Sequence, residues 1–95
     1  MSFLWIAVGM RRPLPRRHWL SAAQFVGVYL VDTKTLASIS GKADACWIDA
    51  WDSPSLELGR IYIDKRLAHD IKWARYQHEL IHAIHDYLHW RGLPA

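Results

Sequence analysis

Ninety-five residues and 11.1 kDa hold one compact domain, because a second would leave each half too small to bury a core. With 52% hydrophobic residues, six Trp, four Tyr and two Phe, the composition excludes a disordered chain. The lone Cys46 excludes an intrachain disulfide or a cysteine-rich metal site, and it fits a reducing compartment. The net charge of +3 is unevenly placed: residues 1–43 have six cations against Asp32, giving +5, and the rest has six cations against eight carboxylates, giving −2.

In chain order, Phe3 to Met10 is an apolar run too short to span a bilayer. Its charges follow it, whereas a secretory signal carries them in front. The expectation is a soluble, cytoplasmic protein with no membrane partner. The stretch Arg11-Arg12-Pro13-Leu14-Pro15-Arg16-Arg17 comes next. It reads as a basic, proline-stiffened arm over residues 1–18, either a solvated lead-in or a contact for nucleic acid, and the arm precedes a single domain over 19–95. The run Phe25-Val26-Gly27-Val28-Tyr29-Leu30-Val31 is β-branched and aromatic and predicts a buried strand, with a helix over 21–31 as the alternative. A polar stretch ends in Ser40-Gly41-Lys42, and Ala45 to Ala50 reads as a second strand. After the turn formers Asp52, Ser53 and Pro54, the segment Arg60-Ile61-Tyr62-Ile63-Asp64 is the clearest strand of all. The spacing of these last two runs predicts an antiparallel pair.

From His69 to Arg91 nothing breaks a helix until Gly92 and Pro94. Taken at about 100° per residue, Trp73, Leu80, Ile84, Tyr87 and Leu88 form the stripe expected to pack on the sheet. The fold class expected is therefore α+β, a small antiparallel sheet of about three strands against a long C-terminal helix.

That helix carries His78-Glu79-Leu80-Ile81-His82, the HExxH pattern. Histidines at i and i+4 share a face, so two nitrogens can reach one zinc ion. Glu79 is rotated about 100° from His78, flanks the ion and can take a proton from water. Six His and two Glu in 95 positions would produce the pattern by chance on the order of one time in a hundred. Position in the middle of a helix, after a strand, makes coincidence a weaker account still. The arrangement requires the two rings to converge and Glu79 to stay clear of the β layer.

Gly59-Arg60-Ile61-Tyr62-Ile63-Asp64 followed by Tyr76-Gln77-His78-Glu79-Leu80-Ile81-His82-Ala83-Ile84 resembles the small zincin metallopeptidases of phages and bacteria, of the ImmA/IrrE type and the minigluzincins. The resemblance covers about residues 24–88. It implies a three-stranded sheet against an active-site helix, Zn2+ on His78 and His82, Glu79 as general base or acid, and a peptide or protein substrate. The chain departs from the pattern at the third ligand: no carboxylate follows Asp86, and the position six beyond His82 is Leu88. His85 or Asp86 on the same helix, Asp49 or Asp52 upstream, or a residue of a second chain could complete the shell. Asp86 could instead orient the His82 ring.

The function expected is a zinc-dependent metallopeptidase. The alternative is a catalytically incomplete relative that binds metal, protein or nucleic acid. A histidine-rich site taking Ni, Cu or Zn for sensing or buffering is a third reading. Cys46 reads as a small buried hydrophobe, and Trp47, Trp51 and Tyr62 read as packing residues with a groove-lining role as the alternative.

Overall fold

The computed structural model describes residues 12–41, 43–51 and 55–92. Six elements follow one another: β1 (Arg17–Trp19), β2 (Phe25–Val31), α1 (Thr33–Ser40), β3 (Ala45–Asp49), β4 (Glu57–Asp64) and α2 (His69–Trp90). The four strands form one sheet in the order β1-β2-β4-β3, and α2 packs across one of its faces. The chain is α+β, as the sequence predicts. Among the described residues no helix is long and apolar enough to cross a membrane.

The sheet departs from the expected one in two respects. Its central strands β2 and β4 run parallel, pairing Val28 with Ile61 and Leu30 with Ile63, while β1 and β3 flank them antiparallel. The parallel pair arises because α1 and β3 lie between β2 and β4 in sequence and provide the crossover that parallel strands require. The expected antiparallel pairing of the third and fourth strands is present, with Cys46 opposite Tyr62.

The fourth strand, β1, takes in Arg17 and His18, so the sheet begins inside the segment expected to be an arm. Upstream residues are also tied down. The Arg12 carbonyl accepts a hydrogen bond from the Trp73 indole at 2.7 Å and lies 2.8 Å from His69 Nε2. Leu14 packs against the core. Arg11 lies outside the described residues.

The polar stretch between the first two predicted strands contains α1. Asp32 caps it, accepting from the Thr35 amide at 2.7 Å, and Gly41 closes it at φ 77°, a left-handed conformation that glycine adopts without a Cβ penalty. Leu36, 1% exposed, is the residue α1 buries.

Val26, Val28, Ile61 and Ile63 from the central strands meet Tyr76 and Ala83 of α2 in the core, with Trp73, Leu80 and Trp47 packed around them. The helix thus turns a stripe centred on Tyr76 and Ala83 to the sheet, whereas Ile84 and Leu88 of the predicted stripe are half-buried at its margin. Ala83 is fully buried because a methyl group lets the helix approach the strands closely. Trp47 lies over Gly59, where a Cβ would come within 2.4 Å of the ring. Its indole N–H donates to Asp86 at 2.8 Å, latching the β3 edge to the helix.

Candidate metal centre

Rotation about α2 decides what the HExxH segment faces. With the core stripe running through Trp73, Tyr76, Leu80, Ala83 and Tyr87, His78 and His82 stand about 150° round the helix from its middle, pointing to solvent. His85 and His89 continue that exposed ridge. Glu79 falls on the border between the ridge and the core and is largely buried, its side chain 12% exposed against 64% for His78, so the clearance from the β layer that the sequence reading required is only partly met.

The rings converge. His78 Nε2 and His82 Nε2 are 3.2 Å apart, with the ring planes at 83°. Two nitrogens bound to one zinc at 2.0 to 2.1 Å with tetrahedral angles are about 3.3 Å apart, so the spacing fits joint ligation. A Glu79 carboxylate oxygen lies 3.9 Å from His78 Nε2. One donor atom from each of the three residues fits within a 4.8 Å group. Two imidazole nitrogens suit a borderline cation such as zinc, and the carboxylate stands close enough to act on a water beside such an ion.

The turn bearing these groups is anchored from the preceding one. Arg75 Nε donates to both Asp44 carboxylate oxygens, at 3.0 and 3.1 Å, tying the helix to the chain entering β3. This contact gave no sequence signal, because the partners are 31 positions apart.

The candidates for a third ligand are not gathered here. Among the described residues the group that could hold an ion consists of His78, Glu79 and His82. Asp86 is not in that group, and one of its carboxylate oxygens accepts from the Trp47 indole. His85 is exposed further along the ridge and Asp49 is exposed at the end of β3. Asp52 lies outside the described residues. Cys46 is buried, and burial pushes its thiol pKa up, partly opposed by a hydrogen bond with Ser40. It is the inert small hydrophobe the sequence suggested.

Elsewhere a cleft of about 660 Å³ runs along β2, lined by Leu14, Arg16, Tyr29, Leu30, His69 and Lys72 among others. None of the three candidate ligands borders it. Comparisons with protein-family models, curated proteins and solved structures found no match.

Proposed function

We propose that this protein is a zinc-dependent hydrolase of the metallopeptidase type, with His78 and His82 as ligands and Glu79 as the group that handles the proton. The observation that carries the reading is the 3.2 Å approach of the two Nε2 atoms beside the Glu79 carboxylate.

Bound zinc would supply Lewis acidity at a peptide carbonyl and lower the pKa of an associated water. The work of the chain's own residues follows from their positions. His78 and His82 hold their rings from successive turns of a helix that the core fixes on its other side. Glu79, set back from the ridge and shielded from bulk solvent, accepts the proton of the attacking water as its oxygen bonds to the carbonyl carbon. The carboxylic acid then returns that proton to the nitrogen as the C–N bond breaks. A peptide substrate would approach from solvent, since His78 and His82 are exposed.

The test is metal content and peptidase activity of untagged protein. Zinc near one per chain in the wild type, lost in His78→Ala and retained in Glu79→Gln with activity abolished, is the expected pattern. A wild type that takes up no zinc overturns the proposal.

One observation favours a second reading, a metal-binding module without hydrolysis: the histidine ridge points away from the cleft lined by Leu30 and Lys72. Under that reading the wild type holds zinc, as does Glu79→Gln, and neither cleaves a peptide.

A further inference from the structure

The face of the sheet opposite α2 is only partly covered. Helix α1 protects one end, where Thr33 donates to Asp64 and Leu36 is buried. At the other end two groups of rings and guanidinium groups lie on the strands. Trp19, 52% exposed, packs on Phe25 at 5.1 Å between ring centres, and the Arg17 guanidinium lies 4.6 Å above the same Phe25 ring. Tyr29 pairs across the strands with Tyr62 at 5.8 Å, and the Arg60 guanidinium lies 4.9 Å from the Tyr29 ring.

These groups lie close to the sheet for a reason in the sequence. Gly27 sits beneath them, and a Cβ there would come within 2.2 Å of a Glu57 oxygen and 2.6 Å of the Tyr29 ring. The glycine leaves room for Tyr29 to lean back over β2 and donate to Glu57 at 2.5 Å. Glu57, the carboxylate of this cluster, is engaged by that hydroxyl and by Arg60, whose Nε is 2.5 Å away. The charge left at the surface is positive, from Arg17 and from Arg16 at the adjoining rim.

We propose that this face binds single-stranded nucleic acid, with bases stacking on Trp19 and the Tyr29–Tyr62 pair and phosphates meeting Arg16 and Arg17. Aromatic and guanidinium planes accept any base face, and interleaved cations track the backbone. A duplex buries its base faces and presents none to such a surface. The site is separate from the histidine ridge, which lies on the far side of the helix, so its occupancy is independent of zinc.

The test is fluorescence anisotropy of labelled 12-nucleotide oligo-dT and oligo-U with the full chain. Neutralising two or three phosphates gives a log–log salt slope near −0.7 for each, so raising salt from 50 to 200 mM weakens binding roughly tenfold. Trp19→Ala, on a half-exposed edge ring, weakens binding at least about fivefold with the salt slope unchanged, as loss of a stacked base requires. Arg17→Gln lowers the slope by about 0.7, and Arg91→Gln, at the far end of α2, changes affinity less than twofold. A circular dichroism spectrum matching the wild type accompanies each variant. Absence of binding at 0.1 mM protein overturns the proposal, as does equal affinity for a duplex or for a polyglutamate peptide, or a Trp19→Ala affinity equal to the wild type.

Discussion

The two sides of α2 differ as sharply as two sides of a helix can. Toward the sheet, Tyr76 and Ala83 are 4% and 0% exposed and meet residues distant in sequence. Toward solvent, His78, His82, His85 and His89 are all exposed, and His78 meets His82. The first side fixes where the helix lies, and the second is free to carry chemistry because nothing in the fold depends on it. The contrast teaches that the candidate ligands can be altered with little effect on stability, while the residues that aim them cannot.

The strongest challenge to this contrast is a truncation on the sheet side. Ile61→Ala, at a fully buried position beneath the helix, should destabilise the protein by about 2 to 5 kcal/mol in urea unfolding. A loss under 1 kcal/mol would mean that the core does not hold the helix. Ala83→Leu forces extra carbon into a fully closed contact and should cost about 1 to 3 kcal/mol, with the same assay as readout. Asp86→Ala removes the acceptor of the Trp47 indole, an exposed bond worth about 1 kcal/mol. At the bottom of the scale, His82→Ala should change the stability of the metal-free protein by less than about 0.5 kcal/mol while removing zinc uptake. A large destabilisation there would erase the distinction between the two sides.

Acid unfolding probes contacts at the ends of α1 and β4, away from α2. The Thr33 hydroxyl, with the Arg66 amide, holds the Asp64 carboxyl below its usual pKa, and the Thr35 amide does the same for Asp32. Both groups therefore bind protons more readily when unfolded. Their contribution is complete above the ordinary carboxylate pKa near 3.9 and is lost as pH falls through the lower folded values. Thr33→Val should move the onset of acid unfolding to higher pH, followed by far-UV circular dichroism, and lower stability at neutral pH by less than Ile61→Ala does.

Several features were legible in the sequence because their signals are local. The long helix has no breaker before Gly92, and β4 alternates around Ile61 and Ile63. The histidine pair needs only a spacing of four. What escaped depends on partners far away. The three residues of β1 are strand because β2 offers them an edge, and nothing in Arg17-His18-Trp19 announces it. Helix α1 did leave signals, an Asp32 cap and Gly41 at the end, but too few apolar residues lay between them to stand out. The stripe on α2 differs from the expected one by about half a residue step, because Tyr76 and Ala83 rank below Leu and Ile by hydrophobicity, whereas the sheet selects by fit. Glu79's partial shielding follows from that rotation. The role of Asp86 depended on an indole 39 positions away.

The parallel union of β2 with β4 joins residues such as Val26 and Gly59, so the middle of the sheet is established only after a long segment of chain has been looped back, a slow event with a high entropic threshold. The ring pair on α2, by contrast, spans a single helical turn. A nascent helix in the unassembled chain already offers much of that grip, so an ion captured there would stiffen the rod in both folded and unfolded ensembles. Ligand linkage then counts only the difference between the two. Saturating metal should consequently raise the melting temperature far less than its affinity alone would suggest.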